Sequence, residues 1–186
     1  MQVRVAVDAM GGDRAPGEVI AGAREALSDD VVPVLFGPRE VLAPLAPDLE
    51  IVEAPQVVGM HEKPADAARE KRNSSLFRSC KAVAEGSAHV VVSAGNTGAM
   101  LAAGLVEIGR LPDVSRPAIA APIPAMRGPS ILIDAGANAD ARPEHLMQFA
   151  HMGTIFAEEM IGIERPNVGL LSIGEEPEKG NRLVRQ

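Results

Sequence analysis

Tryptophan and tyrosine are absent from this chain, and its 186 residues include only 4 phenylalanines. Aliphatic side chains must therefore build the core. One cysteine, Cys80, excludes an intrachain disulfide and a cysteine-based metal site. It sits mid-segment without a helix start or a paired histidine, so it reads as a packing residue. Positive charge is in deficit. The net charge of −7 argues against general nucleic-acid binding. No apolar run approaches the roughly 18 residues that a membrane helix needs. The N-terminal MQVRVAVDAMGG has no signal-peptide hydrophobic region and enters a strand directly. A soluble, cytoplasmic protein is expected. Hydrophobic residues make up 46% of the chain and the mean hydropathy is +0.07, which suits a globular core.

Strand and helix patterns alternate along the chain. Val3–Val7 reads as a strand ending in DAMGGD, and Pro16 opens a helix to about Leu27. Val31–Phe36 is a second strand, followed by a short helix broken by Pro44 and Pro47. Glu50–Glu53 is a third strand, and 55–65 is a loop rich in Pro and Gly. Residues 66–86 are helical and basic, interrupted at Asn73-Ser74-Ser75 and closed by Gly86. HVVV at 89–92 is a strand, and 97–109 an apolar helix. Ala118–Ile123, Ser130–Asp134 and Val168–Ile173 are further strands. Pro143 opens a helix with Leu146, Phe149, Gly153 and Phe156 on one face. Near-continuous apolar strands between helices predict an α/β fold: a layered, mostly parallel sheet with helices on both faces. No repeat or linker is visible, so residues 1–186 read as one domain. A helix beginning near Lys179 is cut short, so that domain reads as the N-terminal part of a longer protein.

The chain is organised around SAGNTG at 93–98, between a β-branched strand and an apolar helix. Free N–H groups at such a turn favour an anion, and Asn96 and Thr97 can cap the helix or donate to the ligand. DAMGGD, DAGANAD and IGEEPEKGN also leave strands into Gly with Asp, Asn or Glu. Four such strand ends on one sheet edge predict a polar, glycine-lined cleft. G-x-G-x-x-G, the P-loop pattern, G-x-S-x-G and H-E-x-x-H are all absent. The acidic residues Asp8, Asp13, Asp134, Asp140, Glu175 and Glu176 fit two roles, holding Mg²⁺ or bracing the glycine loops. We favour bracing, because no paired short spacing stands out. Arg69, Lys71, Arg72, Arg78 and Lys81 form a local cationic excess. It reads either as a solvated helix face or as a surface for an acidic partner or phosphate.

Taken together, DAMGGDRAP at 8–16, RNSS at 72–75, SAGNTGAM at 93–100, RPAIAAPIP at 116–124, DAGANADARPEHLMQFAHMG at 134–153 and VGLLSIGEEPEKGN at 168–181 closely resemble the bacterial acyl-ACP:phosphate acyltransferase family (PlsX). His61 and Ala141 depart from the pattern, which tends to an acidic residue and a cysteine there. The resemblance implies transfer of a long fatty acyl group from acyl carrier protein to inorganic phosphate, giving acyl phosphate for phospholipid synthesis. It implies a fold like that of phosphotransacetylases and isocitrate-dehydrogenase-like enzymes. It also implies a homodimer, loose association with the inner face of the membrane, and a downstream glycerol-3-phosphate acyltransferase as partner. No metal or organic cofactor is implied.

On that reading, phosphate needs a cradle and the thioester carbonyl an oxyanion site. We expect phosphate and substrate contacts from Asp8, Gly11, Gly12, Ser93, Gly95, Thr97, Gly98, Asp134, Asn138 and Asn181. Asn96 and Lys179 are the expected catalytic donors, and His145 the expected acid for the leaving thiol. The cluster Arg69, Lys71, Arg72, Arg78 and Lys81 is the expected dock for the carrier protein. Alternatives are a phosphotransacetylase of short acyl-CoA, a decarboxylating dehydrogenase of similar fold, and a non-catalytic form that dimerises or binds carrier protein.

Overall fold

The computed structural model describes residues 1–126, 128–174 and 179–184. They group into two compact units, Met1–Gly109 and Arg110–Gln186, where the sequence pattern reads as one domain. No helix among the described residues is long and apolar enough to cross a membrane.

The first unit is a four-stranded parallel sheet in the order β3-β2-β1-β4, with β1 over Val3–Asp8, β2 over Val31–Gly37, β3 over Glu50–Glu53 and β4 over Val90–Val92. Alternate residues of β1 face opposite layers. Val5 and Val7 join Leu35 and Ile51 beneath α1 (Gly17–Ala26) and α2 (Arg39–Leu45), meeting Ile20, Ala23 and Leu42. Ala6 joins Val34, Phe36 and Val91 on the other face, against Ala82 and Val83 of α4 (Ser75–Ala84). Helices thus cover both faces, as a parallel sheet requires.

With few aromatics, small residues set close spacing. Leu76, Phe77 and Cys80 of α4 pack on Ala67 of α3 (Pro64–Glu70) and on Ala99 and Ala103 of α5 (Thr97–Ala103). Ser74 caps α4, accepting from the Phe77 N–H at 3.3 Å. After α5 the chain widens into a π-helical turn, Gly104–Ile108, which Gly109 ends at φ 90°. Pro44 lies within α2 rather than breaking it, and the helix stops one residue later. Pro44 lacks only the N–H that would reach Glu40, a bond that a helix this short can lose.

The second unit contains β5 (Ala120–Ile123), β6 (Ser130–Ile133) and α6 (Pro143–Phe156). β5 and β6 are antiparallel, with Ala120 opposite Ile133 and Ile123 opposite Ser130. Residues 124–129 cannot supply the dozen or so that a parallel crossover needs, so this separate two-stranded sheet departs from the parallel expectation. α6 packs closely on β6: a Cβ on Gly153 would lie 3.0 Å from Ile133 Cγ2. Residues 168–173 are not a strand. Among the described residues they pair with no other strand, and Ile173 is 86% exposed. An apolar run without a ladder partner has no hydrogen bonds to hold it extended. Near Lys179 the chain forms only a turn, in which Asn181 Oδ1 accepts from Val184 N–H at 3.1 Å.

Candidate active site

The strand order creates the site. From β1 the chain moves outward to β2 and β3, then returns through α3 and α4 to β4 on the other side of β1. At such a reversal the loops after the two central strands diverge and leave a crevice at their carboxyl ends. The register pairs Val7 with Val92, so the next residues, Asp8 and Ser93, stand side by side at its floor.

Ser93 Oγ donates to Asp8 Oδ2 at 2.7 Å, and Gly95 N–H donates to Ser93 Oγ at 3.1 Å. Asp8 is 3% exposed, and its Oδ1 is buried without a hydrogen-bond partner among the described residues. Gly11 and Gly95 close over this pair. A Cβ on Gly11 would overlap the Asp8 carboxylate and lie 2.9 Å from Ser93 Oγ. One on Gly95 would lie 3.2 Å from Gly11 Cα. Gly12 turns the first loop at φ +111°, a conformation that L side chains rarely adopt.

Asn96 is in the site but its side chain is committed. Oδ1 caps α5 by accepting from Ala99 N–H at 3.0 Å. Nδ2 donates to the carbonyls of Met60 and Glu62 at 3.0 and 2.9 Å, and to that of Gly59 at 3.4 Å. The expected donor to a ligand is instead the peg that fixes the loop. The N–H groups of Thr97 and Gly98, in the first turn of α5, have no partner among the described residues and are free to meet an anion.

A second network fixes the loop that Asn96 grips. Glu62 Oε1 accepts from Gly59 N–H at 2.8 Å and from Lys71 Nζ, which also donates to the Val57 carbonyl at 2.7 Å. The hydrogen bond from Lys71, then that from Gly59, holds the Glu62 carboxyl below its ordinary range against the opposing effect of burial. Lys71 is therefore a brace. Arg69 pairs with Asp66, Arg72 with Glu107, and Lys81 with Glu85. Of the five cations expected to dock a carrier protein, Arg78 alone makes no ion pair among the described residues. The Glu62–Lys71 pair was not visible in the sequence, because its partners are joined only by the folding of a loop rich in Pro and Gly.

Asp134, Asn138 and His145 belong to the second unit, as do Lys179 and Asn181. Asp134 Oδ1 accepts from Ile119 N–H at 2.8 Å, and Oδ2 from Asn138 N–H at 2.7 Å and Asn138 Nδ2 at 3.1 Å. Asn138 Nδ2 also reaches the Pro117 carbonyl at 2.9 Å. Burial raises the Asp134 carboxyl, but these hydrogen bonds outweigh it and hold the group low. The pair braces the turn after β6, the second of the two roles weighed for the acidic loops. His145 is 7% exposed, and its Nδ1 accepts from Arg142 N–H at 3.2 Å. That bond caps α6 and leaves only Nε2 for any proton transfer. Glu175 and Glu176 lie outside the described residues.

The family model described as "Fatty acid synthesis protein" matches residues 3–186. The chain belongs to that family. It is 46% identical to the phosphate acyltransferase of Heliobacterium modesticaldum and 48% identical to that of Desulforamulus reducens, each alignment covering 98% of this chain. The chain spans 57% of the length of either relative. Among solved structures it is similar in fold to the EutD phosphotransacetylase from Staphylococcus aureus, with a TM-score of 0.61 and 19% identity, over 84% of this chain and 53% of that one. The fold likeness accords with the layered α/β architecture expected from the sequence.

Proposed function

We propose that this chain carries the phosphate site of an enzyme that transfers a long-chain fatty acyl group from acyl carrier protein to inorganic phosphate. The product is an acyl phosphate for phospholipid synthesis. The observation that carries the reading is the Asp8–Ser93 crevice at the sheet's switch point, in a chain matched over nearly its whole length by the family of fatty acid synthesis proteins. The names of the relatives support phosphate as the acyl acceptor.

A phosphate oxygen attacks the thioester carbonyl carbon. The C–O bond forms, the C–S bond breaks, and the proton that hydrogen phosphate brought goes to the leaving carrier thiolate. Phosphate is already ionised at neutral pH, so the site's task is positioning and charge stabilisation more than proton abstraction. The N–H groups of Thr97 and Gly98 hold the anion, and Asn96 acts by keeping their loop in place. A homodimer at the inner face of the membrane, passing acyl phosphate to a glycerol-3-phosphate acyltransferase, completes the proposal.

The test is thiol release from long-chain acyl carrier protein by the 186-residue chain, with and without phosphate, beside acetyl-CoA. Phosphate-dependent release from the carrier substrate supports the proposal. Release without phosphate identifies a thioesterase, and preference for acetyl-CoA a short-chain phosphotransacetylase.

A further inference from the structure

Among the described residues of the first unit, α1 and α2 leave one strand of their side of the sheet uncovered. Val5 and Val7 of β1 face α1, and the parallel register sets Val90 and Val92 of β4 beside them on that same side. Val90 and Val92 remain 42% and 52% exposed, while Val91 packs on the opposite side with Ala82 and Val83. A groove of about 350 Å³ follows, floored by Val5, Val7 and Val92 and walled by Val19, Gly22 and Ala26 of α1. One end is Val31 and Pro33, at the amino end of β2. The other is Asp8 and Ala94, where the crevice begins. Asp8 and Glu18, both at this second end, are the only polar residues of the lining.

The dimensions narrow the occupant. Glu18 to Ala26 of α1 set the length at about 12 Å. A volume of about 350 Å³ over that length leaves a section of about 30 Å², room for one unbranched chain and too narrow for a helix, which is about 10 Å across. A groove that is polar at one end and apolar along its shaft fits a ligand built the same way. Resting on the reading of the crevice as the phosphate site, we infer that this groove seats the acyl chain of the donor. The thioester lies at the Asp8 and Ala94 end, and the methylenes run along β1 and β4 toward Val31. An extended chain advances about 1.2 Å per bond, so the groove holds about ten carbons. Gly22, about 6 Å along α1 from Glu18, is the residue that sets chain length. A Cβ there would meet nothing within 4 Å, so only its missing side chain keeps the shaft open.

The experiment is displacement of the polarity-sensitive dye Nile red from the 186-residue chain by S-acyl pantetheines with chains of 4 to 14 carbons. These carry an uncharged thioester, as the donor does. Potency is expected to rise about two- to fourfold per methylene and to level off near ten carbons. Gly22→Leu fills the shaft half-way, and the rise then stops at about five carbons. Leucine is the better helix former, so the variant keeps its fold. Gly17→Leu, in the same helix but outside the groove, keeps the wild-type series. A structural defect would weaken all chain lengths alike, whereas a filled groove penalises only the long ones. Absence of displacement, potency independent of length, or a Gly22→Leu series equal to that of the wild type overturns the inference and leaves the phosphate site standing. The expected series beside thiol release that ignores phosphate supports the groove and counts against the phosphate site alone.

Discussion

Ser93 and Asp8, 85 positions apart in the chain, share one hydrogen at 2.7 Å because β4 and β1 lie side by side in parallel register. β1 ends in Asp8 and β4 is followed at once by Ser93, so both side chains arrive at the same place. The glycines that follow both strands are what let the two loops close on each other. The first consequence concerns space. Gly11→Ala puts a methyl group into the Asp8 carboxylate and 2.9 Å from Ser93 Oγ. The expected result is separation of the pair and a loss of phosphate affinity of about tenfold or more. Gly17→Ala is the control, since nothing lies within 4 Å of a Cβ there. Calorimetric titration with phosphate measures both, and equal affinities would contradict the account of the glycines.

Asn96 offers an isosteric test. Asn96→Asp keeps the oxygen that caps α5 and turns the donor facing the carbonyls of Gly59, Met60 and Glu62 into an acceptor. The expected loss of stability is about 1–3 kcal/mol, set by the unpaired polar groups rather than by the cap. Urea unfolding of the two proteins reads it directly. An unchanged midpoint would show that the grip on the 59–62 loop contributes nothing.

Glu62 links this loop to pH. Its carboxyl is held low when folded, mainly by Lys71, so the folded state binds its proton less readily than the unfolded state. The resulting stability is fully present above the ordinary glutamate range and is lost as pH falls through the lowered folded value. Glu62→Gln should lose stability at neutral pH and show a flatter decline on acidification below about pH 4.5. Urea midpoints across the acid range check this; parallel curves for the two proteins would contradict it.

Cys80 should be inert. Burial, then the charges of Asp8 and Glu107, push its thiol up to about 12. The native protein is expected to resist a thiol reagent at mildly alkaline pH and to react fully once unfolded in urea. Prompt reaction without denaturant would show that α4 opens readily. Phe77, the fully buried neighbour in the same cluster, gives the stability counterpart: Phe77→Ala is expected to cost about 3–5 kcal/mol.

Much of the first unit was legible in the sequence because its signals are local. β-branched runs ending in glycine loops mark β1 and β4, and Ser74 and Asn96 sit where helix caps belong. A parallel sheet then makes Asp8 and Ser93 neighbours at its carboxyl edge. The use of each side chain was less legible. Asn96 has the chemistry of a ligand donor, yet its hydrogens go to a loop some 35 residues earlier, a contact that spacing does not reveal. His145 and Asp134 look like site residues for the same reason: polar groups that brace a turn or cap a helix are the types that also bind ligands. Val168–Ile173 has the composition of a strand but pairs with none among the described residues, since strand formation needs a partner as well as a pattern.

The most direct measurement is a phosphate titration followed by the backbone amide signals of the chain. The account predicts saturable shifts centred on Gly11, Gly95, Thr97 and Gly98, with the Asn96 side-chain amide held in its hydrogen bonds throughout. Saturable shifts centred elsewhere, or none at those residues, would contradict the placement of phosphate at the loops that follow Asp8 and Ser93.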